Sequence, residues 1–228
     1  MTEPFETIAD TRPDDTAWAP LAWPPAADTV LEGTTIRLVP LVPERDAAEL
    51  FAVLDHDAVW THVAGRPATA AEYAASLIAT TAAGRFAWAV QLVEPLGGHA
   101  AGALVGTTSY LDISIPDSRL EIGFTTYTPA CWATAVNPEA KLLLLGFAFD
   151  TLGAGRVQLK TDARNLRSQR AIARLGASHE GTLRRYQRRA DGTIRDTVMF
   201  SIIAEQWPGV RAALRERLGT AETLRVRE

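Results

Sequence analysis

The sequence predicts a mixed α/β domain: a mostly antiparallel central sheet with one parallel strand pair and helices on its flanks. Three observations predict it. Strand-like and helix-like segments follow one another in the order β-α-α-β-β-β-α-β-α-β-β. The three consecutive strands in the middle are joined by turns alone, as an antiparallel meander requires. A strand–helix–strand unit over 119–161 then needs a crossover. A right-handed crossover sets strands 119–127 and 155–161 side by side and parallel, and their C-terminal ends form a ligand crevice.

The ordered pattern starts at 34–42, TTIRLVPLV, where Thr, Ile and Val alternate as in a strand. Residues 43–56 read as a helix. Pro43 suits its start, acids fill its first turn, and Ala47, Leu50, Phe51 and Leu54 recur at helical spacing. A second helix covers 69–83, with Thr69 as cap, Glu72 completing a capping box and Gly84 as the stop. Strands at 85–94, 103–113 and 119–127 make the meander. The clearest helix is 137–153, with Asn137 as N-cap, Pro138 at N1, Glu139 favouring the dipole and Gly153 at the end. A strand at 155–163 leads into a helix at 165–176 between Asn165 and Gly176. Asp191-Gly192 marks a hairpin turn, and a last helix spans 204–219. Residues 1–31 stand apart as a proline-rich arm carrying Trp18 and Trp23, ahead of a domain over 32–228. The arm either packs its tryptophans on the domain or forms a flap beside the acceptor site.

Composition excludes several classes. The chain has 228 residues, enough for one domain with a buried core, and its net charge of −4 argues against nucleic acid as a partner. Positive charge is nevertheless concentrated. Between Arg164 and Arg195 lie nine arginines against Glu180 and Asp191, a local surface suited to a small anion. A single cysteine, Cys131, forms no internal disulfide, and the histidines show no zinc spacing, so a metal-free protein of a reducing compartment is expected. The acidic start is not a signal peptide, and the longest apolar run, LLLLGFAF, is too short to span a bilayer. The cytoplasm is the expected location, with no membrane partner.

Four stretches carry chemistry: LEIGFTTY, the turn and helix CWATAVNPEAKLLLL, VQLKTDARNLRSQRAIARLGASHEGTLRR, and RDTVMFSI. In the third, a strand ends in a polar turn, N-x-x-S-x-x-A opens a helix closing in L-G-A, and a strand begins H-E-G. Together, over roughly 33–204, they resemble the GNAT superfamily of N-acetyltransferases, in particular the ribosomal-protein-alanine branch. The resemblance implies that the parallel pair splays apart and that the co-substrate is acetyl-CoA. It places the CoA pyrophosphate on the turn formed by Trp132, Ala133, Thr134, Ala135, Val136 and Asn137. Ala133 and Ala135 stand where the family has glycines; alanine tolerates positive φ poorly, so the turn is expected to be nearly helical or weakened. The backbone of Phe124, Thr125 and Thr126 would hold the thioester carbonyl. Asn165 would bond the pantetheine arm, and Ser168 would donate to the departing sulfur. Glu121, an acid in an apolar strand, would take the amine proton.

Each residue also has a plainer reading: Asn165 as a helix cap, Ser168 as a first-turn residue, Glu121 as a salt-bridged glutamate, the 132–137 turn as a simple strand-to-helix connection. The arginines at 164, 167, 170 and 174, and at 184, 185, 188 and 189, form either a solvated basic face or part of the CoA and acceptor contacts. Asp55, His56, Asp57, Trp60 and His62 either meet a cationic amine or are ordinary loop residues. The function expected is acetyl transfer from acetyl-CoA to a primary amine, a protein N-terminus or a small molecule, by direct attack. The alternative is a CoA-binding or regulatory protein on the same fold with a degenerate pyrophosphate turn. A homodimer through the last strands or the arm fits the sequence.

Overall fold

The computed structural model describes residues 6–10, 17–189, 191–219 and 225–227. Among them, nine strands form one sheet in the order β7-β8-β6-β5-β4-β3-β2-β1-β9. The strands are β1 (Val30–Glu32), β2 (Ile36–Pro40), β3 (Phe86–Leu92), β4 (Leu104–Ser114), β5 (Arg119–Tyr127), β6 (Arg156–Asp162), β7 (Ser178–Arg188), β8 (Ile194–Ile203) and β9 (Arg225–Arg227). All neighbours are antiparallel except β5 and β6, which pair in parallel as the crossover argument requires. The fold is thus the mixed, mostly antiparallel α/β architecture that the sequence predicts.

The helices are α1 (Pro43–Leu54), α2 (Asp57–Trp60), α3 (Ala70–Ala82), α4 (Val136–Gly146), α5 (Leu166–Ala173) and α6 (Trp207–Leu218). They divide the core in two. On one face, Leu50, Leu54, Tyr73 and Leu77 of α1 and α3 pack on Ala89 and Leu104. On the other, α4, α5 and α6 cover Trp88, Tyr110, Ile122, Leu159 and Phe200. Strands alternate between these faces, so each strand residue is assigned to one side. No helix among the described residues is long and apolar enough to cross a membrane.

Local signals hold where they are self-contained. The Thr69 side chain accepts from the Glu72 N–H, and Glu72 in return accepts from the N–H of Ala68, one residue ahead of the cap. Gly84 and Gly219, both at positive φ, follow the helices they end. Differences arise where other elements intervene. The segment after α1 contains the short helix α2, held by the Trp60 indole N–H on the Leu54 carbonyl. The helix expected from Asn137 begins at Val136, with Ala135 as its N-cap. Asn137 is therefore inside the first turn and caps nothing; Pro138 comes third, not first. The Thr134 hydroxyl accepts from the Val136 N–H instead, at 3.3 Å. Past Gly146 the helix continues as a π-helical turn over 147–151, and Gly153 follows at φ 70°.

Within the arm, Trp18 donates to the Gly153 carbonyl at 3.1 Å, and the Leu21 and Ala22 amides bond Ile115 and Leu152. Residues 18–22 therefore sit where β5 and β6 begin, at the opposite end of those strands from the crevice. The flap reading does not hold for them.

α4 is almost wholly buried and carries two charged residues inward. Glu139 accepts four hydrogen bonds, from Thr34 N and Oγ1 and from Thr35 N and Ile36 N, all between 2.7 and 2.8 Å. The contact needs glycine at 33, where a Cβ would lie 2.6 Å from Glu139 Cδ. Glu139→Ala leaves these donors unsatisfied and is expected to cost about 3 kcal/mol or more in urea unfolding, with Gly33→Ala similarly damaging.

Candidate active site

The site begins with an opening in the sheet. β5 and β6 pair only at Arg119↔Arg156, Leu120↔Val157 and Glu121↔Gln158. Beyond these, β6 stays with β8 as far as Asp162, while β5 stays with β4 as far as Tyr127. From Ile122 onward β5 has no partner strand on its β6 side. A β-bulge shapes that segment: Gly123 faces Ser109 and Thr126 faces Thr107, so Phe124 and Thr125 together oppose Thr108. Phe124 takes φ 47°, unusual for a bulky residue, and its ring is 47% exposed. The Thr125 side chain points inward to the Thr108 hydroxyl at 2.9 Å and to Lys141 Nζ at 2.8 Å. Lys141 is buried, and burial alone pushes its ammonium down to about 7.

The turn ahead of α4 closes one side of the opening. Ala133 takes φ 59°, so the expectation of a nearly helical turn fails there, while Ala135 is right-handed helical. Among the described residues, no protein acceptor takes the N–H groups of Ala133, Thr134, Ala135 or Asn137; Pro138 has none to give. The Thr134 hydroxyl is occupied, donating to the Cys131 carbonyl at 2.7 Å. The turn thus offers backbone N–H groups, while the Thr134 hydroxyl is taken up within it. Cys131 is buried beneath the turn, and burial raises its thiol.

α5 closes the other side. Asn165 Oδ1 accepts from the Ser168 N–H at 3.0 Å, so Asn165 is the cap of α5. That bond uses the oxygen, and among the described residues no hydrogen bond engages the side-chain NH2. Among the described residues no hydrogen bond engages the Ser168 hydroxyl. The two sides meet where the Arg167 guanidinium lies 3.6 Å from the Trp132 ring centroid.

Glu121 ends the parallel pairing. It is 3% exposed, takes Lys160 Nζ at 2.7 Å and Gln158 Nε2 at 3.1 Å, and shares its face with Gly123. Burial raises its carboxyl group, and Lys160 and Gln158 oppose that rise. The plain reading of this residue holds in that it is salt-bridged, and it lies where the parallel pairing ends. Lys160 and Gln158 were not singled out by sequence reasoning. The signal was there: Gln158, Lys160 and Asp162 alternate with Val157 and Leu159, so β6 presents a polar face. Of the hairpin arginines, Arg189 pairs with Asp162 at 2.6 Å. Arg195 stands at the far wall with Nε on Thr197 Oγ1 at 2.9 Å. In the 55–66 loop, Arg66 engages both Asp55 and Asp57, and Trp60 packs edge-on against Tyr73. Those residues hold the loop together. Tyr110 lies in the core with its hydroxyl on the Leu144 carbonyl, away from the crevice.

A parallel pair that splays at a bulge, with a helix N-terminus on either side, defines an acyltransferase class of fold. The family model described as an acetyltransferase (GNAT) domain matches residues 35–178. The chain belongs to the GNAT family. It is 26% identical over 167 residues to the uncharacterized N-acetyltransferase YoaA of Bacillus subtilis, covering 71% of this chain and 90% of that one. The crystal structure of an acetyltransferase from T. thermophilus is 36% identical, with a TM-score of 0.73 over 83% of this chain and 96% of the other. Mycobacterium smegmatis RimJ in complex with CoA-disulfide shares the fold at 21% identity and a TM-score of 0.68, over 86% of this chain and 97% of that one.

Two outcomes follow from the strained and buried groups. Ala133→Gly relieves left-handed backbone and is expected to stabilise by about 1 kcal/mol, raising Tm by roughly 2–4 °C. For Lys141, the native state releases the proton near pH 7, whereas the unfolded chain holds it to about 10.4. Between these values the unfolded state binds more protons, so stability rises with pH; below 7 the full penalty remains. Lys141→Met is therefore expected to unfold at higher urea than the wild type at pH 6–7, with the advantage shrinking toward pH 10.

Proposed function

We propose that this protein transfers an acetyl group from acetyl-CoA to a primary amine by direct attack. The observation that carries this reading is the row of free amides at 133–135 and 137, opening onto the splay with Glu121 at its apex. Those amides and the α4 dipole suit a pyrophosphate. The NH2 of Asn165 suits the pantetheine arm, and the amides of β5 around Phe124–Thr126 suit the thioester oxygen as it gains charge. The amine nitrogen bonds the carbonyl carbon and the carbon–sulfur bond breaks. The amine proton passes to Glu121, directly or through water; the Ser168 hydroxyl donates a hydrogen bond to the departing thiolate beside the α5 N-terminus, and the thiolate takes its proton from solvent as Glu121 returns its own. Residence in the cytoplasm follows from the co-substrate.

The regulatory alternative rested on a turn too poor in glycine. Ala133 nonetheless adopts the left-handed conformation that a glycine would supply, which favours the enzyme. Resemblance to the ribosomal-protein-alanine branch makes a protein N-terminal amine one acceptor class.

Calorimetry should give micromolar binding of acetyl-CoA. Asn165→Asp, which keeps the oxygen that caps α5 but loses the NH2, should weaken it about tenfold, the loss of one hydrogen bond to a ligand. Glu121→Gln should lower kcat roughly a hundredfold or more while leaving acetyl-CoA affinity unchanged, and should flatten the acidic limb of the rate profile. An absence of acetyl-CoA binding by the wild type would overturn the assignment.

A further inference from the structure

Arg85 stands at the entrance to β3, on the sheet face that carries Glu121 and Gly123. Ala87 and Ala89 share that face on β3, and Ser109 lies between Ala87 on one side and Gly123 on the other. Arg85 Nε donates to Ser109 Oγ at 2.6 Å, and its guanidinium lies 4.7 Å from the centroid of the Phe124 ring. Across the next strand there is no side chain at Gly123, where a Cβ would come within 2.8 Å of Glu121 Oε1. The place of the missing side chain is taken by the Glu121 carboxylate and by Leu111 Cδ2, 2.9 Å from that Cβ, so both groups reach toward Arg85, with Lys160 behind Glu121. Adjacent strands lie about 5 Å apart, so Arg85 and the Glu121–Lys160 pair are separated by the width of a small molecule.

The charge pattern sets this arginine, like Arg195, apart from the paired ones. Arg45, Arg66, Arg119, Arg156, Arg189 and Arg211 each reach a carboxylate. Arg85 reaches none among the described residues, although it is half-buried. The buried phenol of Tyr73 lies near it, and desolvation pushes the guanidinium down to about 10. A desolvated cation without a counter-ion is costly unless something else supplies the anion. With Nε bound to Ser109, the remaining guanidinium N–H groups are left to do so. A single guanidinium matches a carboxylate in charge and in planar geometry.

We propose that Arg85 binds a carboxylate on the acceptor, so that the acetylated substrate is a small amino acid whose amine is delivered to Glu121. This rests on the acetyl-transfer reading above. It narrows the acceptor from any primary amine to one carrying an acid a short carbon chain away. Arg195, on the far wall and also without an ion pair among the described residues, adds to the positive field that draws such a substrate in.

The test is CoA release from acetyl-CoA by the full chain, supplied with an equimolar mixture of the proteinogenic L-amino acids or with the matching mixture of their primary amides. Ethanolamine and a short peptide with a neutral N-terminal residue serve as further acceptors, and acetyl-CoA binding is followed in parallel by calorimetry. The expected result is release at least tenfold faster with the acids than with the amides. Arg85→Gln, which retains a donor for Ser109, should abolish that preference by raising KM for the acids at least tenfold, with acetyl-CoA affinity unchanged. Arg85→Lys, with the charge but not the fork, should fall between. If Arg85→Gln does not fold, the acid-to-amide ratio of the wild type still decides. Equal rates with acids and amides would overturn the inference while leaving the transferase standing. So would turnover confined to ethanolamine or the peptide. Intact acetyl-CoA binding with no release to any acceptor would overturn both.

Discussion

Helix α4 is pinned by two buried charges that point in opposite directions. Glu139 and Lys141 are two residues apart, about 200° around the helix axis. Glu139 gathers the amides of the β1–β2 turn, and Lys141 reaches Thr125 on β5. These contacts hold the helix across the sheet from β2 to β5. Hydrophobic burial presses α4 onto the sheet but does not by itself set where it lies along the strands. Directional bonds do, and that position decides where the amides ahead of the helix are aimed.

The crevice depends on the same placement. β5 leaves β6 after Glu121, and the bulge at Phe124 turns Thr125 inward to meet Lys141. The strained residues Phe124 and Ala133 lie on either side of the region where the sheet opens, each held in left-handed backbone by the surrounding packing. Strain of this kind, of order 1–3 kcal/mol per residue, persists where the surroundings over-determine it and clusters at functional sites. A glycine-poor turn before α4 is therefore no sign of a lost site; its geometry is maintained by the fold at a cost in stability.

Electrostatics divide the crevice into two ends. Toward α4 and α5 the donors are backbone amides and side-chain NH groups, suited to a large anionic co-substrate. Toward β3 and β8 stand Arg85, Lys160 and Arg195, with Glu121 between them. Glu121 is held by Lys160 and Gln158 yet raised by burial, so it keeps a fixed orientation while remaining able to take a proton. Glu121 and Gly123 belong together: the missing side chain at 123 leaves room for the carboxylate beside Leu111.

The sequence by itself determined the order of the longer elements, though not the short β1, α2 and β9, and with it the single parallel pair, the caps at Thr69 and Asn165 and the presence of an acid at 121 in an otherwise apolar strand. These follow from short-range chemistry: periodicity, turn residues, and side chains that bond amides three residues away. Only the tertiary structure decided that α4 starts at Val136 with Thr134 serving its first amide, that Ala133 is left-handed, and that the acids of the 55–66 loop are taken up by Arg66. It also decided the partners of the charged residues: Glu139 with the β1–β2 turn, Lys141 with Thr125, Lys160 with Glu121, and no carboxylate for Arg85 among the described residues. Nothing local distinguishes these charges from solvated ones, because each partner lies on a different element brought near by sheet pairing or helix packing.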